Sequence, residues 1–301
     1  MTETPTITRR RALEAGVATL IAAARPDRGA ADGRNAKKRK ILFFSKSSGF
    51  EHDPVKPQGS GPSLAEKTLT ELGIKDDFEV IASKDGRVFD GSLAQYDAFF
   101  FFTTGNLTEA GTDNAPPMTA RGKDALLAAI RAGKGFIGVH SASDTFHSEG
   151  KQFETQHEPD PYIAMLGGEF ISHGSQQEAR VKVADPNFPG LQGAGDFKIK
   201  EEWYSLKNFT RDLHVLLVLE TDGMQDSEYR RPPFPLAWVR TEGKGRVYYN
   251  AMGHREDVWA SQRFRQMLAG AVAWASGEEE VDLAPNLTEV TPHLDVMPPE
   301  N

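Results

Sequence analysis

Four short apolar runs punctuate the first half of the chain: Ile41-Leu42-Phe43-Phe44, Phe78 to Ile81, Ala98 to Phe102, and Phe136 to Val139. Runs of this length, with little alternation of apolar and polar positions, are the pattern of strands buried on both faces of a parallel sheet. Between them the spacing turns helical. Leu64 to Leu72 reads as a helix ended by Gly73, and Met118 to Ala132 as a helix opened by Pro116-Pro117 and closed by Gly133. Leu126, Leu127 and Ile130 fall on the core face of the second. Strand, helix and strand alternating over residues 40–140 predict an α/β fold built on a doubly wound parallel sheet with right-handed crossovers.

The pattern shifts in the second half. Pro161 to Leu166 reads as a short helix ending at Gly167-Gly168, followed by Glu169 to His173. Strand-like runs then cover Ala179 to Val183, Phe197 to Leu206 and Leu213 to Leu219. Period-two alternation in the middle run places Glu202 and Tyr204 on one face and Glu201 and Trp203 on the other. Leu236 to Val239 and Arg246 to Tyr249 form a hairpin through Glu242-Gly243-Lys244-Gly245. A terminal amphipathic helix covers Val258 to Ala275. One domain over residues 40–276 is expected, followed by an acidic, proline-rich tail, 277–301, that is loosely attached and leaves His293 solvated.

Charge divides the chain at about residue 40. Residues 1–40 hold ten Lys/Arg against four Asp/Glu, a net of +6, so the body carries −14 of the total of −8. Thr8-Arg9-Arg10-Arg11-Ala12-Leu13-Glu14 precedes the uncharged run Ala15 to Ala24, the layout of an export signal with a small-residue cleavage site at Ala22-Ala23-Ala24. The paired arginines resemble a twin-arginine signal, although Ala12 and Glu14 depart from that pattern. Export to the periplasm or cell envelope is therefore expected, with residues 1–39 as signal and linker; the other reading is an amphipathic N-terminal helix on a cytoplasmic protein. The apolar run is too short for a stable membrane span. An acidic body argues against nucleic-acid partners. The absence of cysteine excludes disulfides, zinc thiolates and cysteine nucleophiles.

Candidate chemistry gathers where the apolar runs end. His140, Ser141, Ser143, Asp144 and His147 follow the Phe136 run within eight residues, and ligands bind open α/β sheets at the carboxyl ends of strands. His254 follows the Arg246 run, and His52 and His173 lie in loops that leave or enter strands. If these loops converge, two kinds of site are possible. One is a divalent-metal site, for Zn²⁺ or a similar ion, in which neutral imidazoles of His140, His173 and His254 join Asp144 or Glu202. The other is a metal-free acid/base pocket of histidine and carboxylate. Gly138-Val139-His140-Ser141-Ala142 has the outline of a nucleophile elbow, with histidine in the nucleophile's place. Trp203, Tyr204 and Trp238 are core residues by expectation, but aromatics beside carboxylates also suit sugar faces.

Gly135-Phe136-Ile137-Gly138-Val139-His140 with Asp144, then Gly167-Gly168 and His173, Glu202-Trp203-Tyr204, Ala237-Trp238, Gly245-Arg246-Val247, and Gly253-His254 with Trp259 together resemble the trehalose-utilization (ThuA-like) family over residues 40–276. The resemblance implies a flavodoxin-like fold similar to class I glutamine amidotransferases. A cysteine occupies the elbow in those enzymes and His140 does so here, so the amidotransferase reaction is not expected. The family is linked to use of trehalose and related disaccharides through keto-sugar intermediates. The chain departs from the family pattern at Glu201, Phe188 and Gly174, where Asp, His and Pro are usual. The expected ligand is a small sugar or keto-sugar, and the expected reaction its hydrolysis, elimination or isomerisation. His140, Asp144, Glu202 and His254 would carry the chemistry, with His52, His173, Trp203, Tyr204 and Trp238 in contact with substrate. The competing class is a non-catalytic sugar-binding or scaffolding module, which fold alone does not exclude.

Overall fold

The apolar runs become the inner strands of one sheet. The computed structural model describes residues 1–2, 38–281 and 283–300. In chain order, β1 (Arg39–Phe44), α1 (Leu64–Lys75), β2 (Phe78–Ser83), β3 (Ala98–Phe101), α2 (Ala120–Arg131) and β4 (Gly135–Val139) alternate as the sequence predicts. They are followed by α3 (Pro161–Leu166), β5 (Glu169–His173), β6 (Gln177–Val183), β7 (Phe197–Glu201), β8 (Tyr204–Lys207) and β9 (His214–Glu220). The hairpin β10 (Phe234–Glu242) and β11 (Gly245–Asn250) comes next, then α4 (Glu256–Ala260), α5 (Gln262–Ala275) and α6 (Leu287–Val290).

The large sheet has nine strands in the order β2-β1-β3-β4-β11-β10-β9-β6-β7. Its first five strands run parallel, in the 2-1-3-4-5 order of flavodoxin-like folds. From β11 onward every neighbour is antiparallel. The fold is therefore α/β, with helices flanking a sheet whose parallel half carries the predicted crossovers. β1, β3 and β4 are buried along almost their whole length, as unalternating apolar runs require. β5 and β8 pair separately as a two-stranded antiparallel ribbon.

Several boundaries move, each for a local reason. Gly73 lies inside α1, where its lack of a side chain admits Phe78 against the helix; the chain reverses instead at Asp77, with φ 57°. Pro116-Pro117 precede the second helix rather than open it. Its cap is Thr119, whose hydroxyl accepts from the Gly122 N–H at 2.9 Å. The expected helix from Val258 to Ala275 is two helices, because the Ser261 hydroxyl caps a new start by accepting from Phe264 N–H at 3.2 Å. The run Phe197 to Leu206 is also two elements. β7 ends at Glu201 on the edge of the large sheet, and β8 begins at Tyr204 in the ribbon.

The tail is held more firmly than its composition suggests. Leu287, Thr291 and Leu294 are buried. Asn286 accepts from Val215 N–H at 2.6 Å and donates to Val215 O at 3.1 Å, pairing with β9 as a strand would. Arg231 donates to Leu294 O at 3.0 Å. His293 is exposed, as expected. The arginine-rich leader and most of the expected linker lie outside the described residues, although Arg39 already belongs to β1. Among the described residues no helix is long and apolar enough to cross a membrane.

Removing a buried side chain from the tail should therefore weaken the whole domain. Leu294→Ala should lower the unfolding free energy by about 2–3 kcal/mol in urea titrations. A change under about 0.5 kcal/mol would mean that the tail is dispensable to the fold.

Candidate functional site

Three strand exits and one strand break bring the chemical groups together. The exit loop of β1 lies against that of β3: Ser48 N–H donates to Thr104 O at 2.9 Å, and Thr104 Oγ1 donates to Phe50 O at 2.9 Å. Pinned in this way, the loop turns His52 inward, where it is buried. β4 ends at Val139, and His140 takes a left-handed conformation with φ 45°. A non-glycine residue there stores about 1–3 kcal/mol of strain, which its surroundings have to hold. Tyr249 does so by donating to His140 O at 2.7 Å, while sharing a 2.7 Å hydrogen bond with Ser143. The elbow outline read in the sequence is thus present, with His140 at its apex.

The tautomer of His140 follows from its partner. Nδ1 lies 2.9 Å from Ala251 O, and a carbonyl can only accept, so Nδ1 carries a proton and the lone pair of the neutral ring is on Nε2. Nε2 is buried and has no hydrogen-bond partner. The β11 exit passes through Gly253, at φ 125°, to His254; Trp259 Nε1 holds that turn by donating to Gly253 O at 2.8 Å. The break between β7 and β8 supplies Glu202. Glu201 clips this break to the β11 exit, accepting from Glu202 N–H and from Gly253 N–H, each at 2.8 Å.

Glu202 is the common neighbour. Its Oε1 is 3.0 Å from His254 Nδ1 and 3.6 Å from His140 Nε2, and its Oε2 is 3.4 Å from His173 Nδ1. One donor atom from each of His52, His140, His254 and Glu202 lies within 4.8 Å of all the others. The Tyr204 ring sits 4.1 Å from that of His140, and its hydroxyl is 3.5 Å from His52 Nε2. Burial, reinforced by repulsion from His140 and His254, lowers the His52 pKa to about 2, so this imidazole is neutral. Burial opposes charge on Glu202, but the adjoining His140 and His254 rings outweigh it and hold the carboxyl well below the usual range. Burial also opposes charge on His254, where the hydrogen bond and charge of Glu202 prevail and raise its pKa.

Three nitrogens and one carboxylate oxygen form a donor set suited to Zn²⁺ or a similar divalent ion. Zn–N bonds of about 2.0–2.1 Å put tetrahedral donors about 3.4 Å apart, so only the wider pairs here need to close. The His140 Nδ1–H bond to a backbone carbonyl is the outer support that metal-ligating histidines commonly have.

The other residues singled out in the sequence fall in different places. His173 is half-exposed at the rim, and His52 takes the place among the four donors expected for it. Asp144 lies outside the four, with its Oδ1 2.6 Å from His147 Nε2. Trp203 and Trp238 lie in the core. Both are fully buried, and their indole N–H groups are satisfied by Gln177 O at 2.9 Å and Leu166 O at 2.8 Å. Two participants were not legible. Glu169 is a buried acid that accepts from His147 Nδ1 at 3.2 Å and Ser148 Oγ at 2.6 Å, but a lone glutamate opening a strand carries no local sign of burial. Glu201 was visible only as the alternate face from Glu202.

His147 bridges two carboxylates, and its hydrogen bonds to Asp144 and then Glu169 raise its pKa to about 9. A raised folded-state pKa stabilises fully below the unfolded value near 6.5 and is lost as pH rises through about 9. The unfolding free energy should therefore fall between pH 6.5 and 9 by about 1 kcal/mol, after screening at this half-exposed ring is allowed for. His147→Gln should remove that component in urea titrations at several pH values; an unchanged slope would show that the bridge contributes nothing.

Comparison with known proteins agrees with the fold. The chain shares its fold with a ThuA-like protein from Bacteroides uniformis ATCC 8492, with TM-score 0.61 and 20% identity over 82% of this chain and 94% of that one. A ThuA-like protein from Parabacteroides merdae ATCC 43184 gives TM-score 0.58 and 16% identity over 82% and 92% of the two chains. No curated protein matches in sequence. The profile of the ThuA family, described as trehalose utilisation, matches residues 40–275, and the chain belongs to that family.

Proposed function

We propose that this protein is an enzyme acting on a sugar or oxidised sugar derivative at a divalent-metal centre held by His52, His140, His254 and Glu202. The observation that carries the reading is the buried, partnerless Nε2 of His140, whose lone pair is aimed into a group of donors within 4.8 Å of one another. A buried polar atom without a partner costs about 1–3 kcal/mol, which a bound cation would relieve. The neutral state of His52 and the ionised state of Glu202 are those that ligation requires, and His254 would release its proton as the ion binds. The trehalose-utilisation description of the family supports a sugar ligand.

A bound ion would act as a Lewis acid on a carbonyl or hydroxyl oxygen, or lower the pKa of a bound water. The chain's own residues supply the rest. Ala251 O and Tyr249 hold the His140 ring and backbone, so the donor does not have to reorganise. His173, half-exposed at the rim and 3.4 Å from Glu202 Oε2, stands where an incoming sugar hydroxyl can exchange a proton with it. Hydrolysis, elimination and isomerisation beside a ketone all draw on this pairing of an electrophilic centre with a nearby base.

Elemental analysis of the purified chain should find about one divalent ion per molecule, lost in His140→Ala. Turnover of 3-keto-glycosides should fall by at least about 100-fold in His140→Ala and Glu202→Gln. Absence of metal from the wild-type chain would refute the metal centre, and undiminished turnover in both variants would refute the site.

A further inference from the structure

Next to the metal centre, on the far side of Tyr204, lies a cavity of about 310 Å³ lined by Asp144, His147, Ser148, Glu169, Phe170 and Lys207. Tyr204 forms a wall between the two. Its ring is 4.1 Å from that of His140 and 4.2 Å from that of Phe170. Asp144, which lines the cavity, follows His140 by four residues, so one turn supplies a residue to each space.

We infer that this cavity is a second carbohydrate subsite, which holds the neutral sugar ring linked to the one at the metal centre. The inference rests on reading that centre as a sugar site. Size is the first argument: 310 Å³ lies at the lower end of ligand pockets, about 300–1,000 Å³, and suits a single ring. Charge is the second. Asp144 and Glu169 are balanced by His147 and Lys207, so the lining offers no net field to a phosphate or carboxylate but many hydrogen-bonding groups to hydroxyls.

Preorganisation is the third argument. Glu169 is saturated by Ser148 N–H at 3.0 Å, Ser148 Oγ at 2.6 Å, Asn208 Nδ2 at 2.6 Å and His147 Nδ1 at 3.2 Å. It fixes the His147 ring, which in turn donates to Asp144 Oδ1 at 2.6 Å and leaves the second carboxylate oxygen for a ligand. Lys207 Nζ donates to Lys151 O at 3.0 Å and Glu154 O at 3.2 Å, and an ammonium has a third hydrogen to give. Phe170 is only partly buried and presents an apolar face. An aromatic face beside one carboxylate acceptor and one ammonium donor matches the apolar C–H face and hydroxyl rim of a pyranose.

Calorimetric titration of the full chain with trehalose and with glucose tests the subsite. Trehalose should bind at least about tenfold more tightly than glucose. Phe170→Ala and, independently, Lys207→Met should bring the two affinities to within about threefold, with glucose affinity and metal content unchanged. Three results would overturn the subsite and leave the sugar reading of the metal centre standing: glucose binding with no preference for trehalose, a preference retained in both variants, or tighter binding of trehalose 6-phosphate than of trehalose. Binding of neither trehalose nor glucose would also overturn the subsite, and the sugar reading of the centre would then stand or fall on the turnover of 3-keto-glycosides.

Discussion

Glu202 sits among three imidazoles that come from three different strand exits, and most of the site's design follows from that one carboxylate. Its charge favours His254⁺ and offsets part of the cost of burying polar rings together. His52, buried and with its ring 4.8 Å from that of His140 and 5.2 Å from that of His254, is left neutral. A group of buried imidazoles around a single acid holds too few opposite charges for all of them to be protonated, so lone pairs remain available. That is an electrostatic route to a ligand set and needs no helical spacing motif.

The mixed sheet explains how the carboxylate reaches this position. The parallel half supplies β1, β4 and β11, whose carboxyl ends lie at one edge, as the flavodoxin-like order dictates. No loop of that half carries Glu202. It comes from the antiparallel half, where the chain leaves the edge strand β7 and starts β8 in a separate ribbon. Glu201 makes the junction rigid by accepting two backbone N–H groups, one from each side. The same departure carries Tyr204 over His140, and Phe170 of the paired strand β5 over Tyr204. The ribbon is thus both a roof for the four-donor cluster and a wall of the neighbouring cavity.

Strain at His140 belongs to the same arrangement. A left-handed histidine at the end of a buried strand persists because Tyr249 holds its carbonyl and Ala251 its ring nitrogen. Both anchors lie on or just beyond β11, the parallel neighbour of β4. Pairing of those two strands therefore positions the strained residue and the His254 loop together.

The strands β1 to β4, the helices between them and the hairpin β10–β11 were legible because burial on two faces or one leaves a period in the local sequence. So was the side of the sheet on which chemistry collects, since His140 and His254 directly follow such strands. Local signals misplaced Gly73, Pro116-Pro117 and the break at Ser261, where packing or a cap rather than residue type sets the boundary. They also left open which histidines meet. His52 and His173 stand in similar loops, and only the pinning of the β1 exit against that of β3 puts His52 inside and leaves His173 at the rim. Trp203 and Trp238 read as core residues in the sequence, and their burial and the backbone partners of their indole N–H groups agree with that. The sequence by itself determined the parallel half of the fold and the chemical types at its edge, because both depend on neighbours in the chain. The tertiary structure alone decided the four-donor cluster and the neighbouring cavity, because both depend on groups that meet across strand exits and across the break after Glu201.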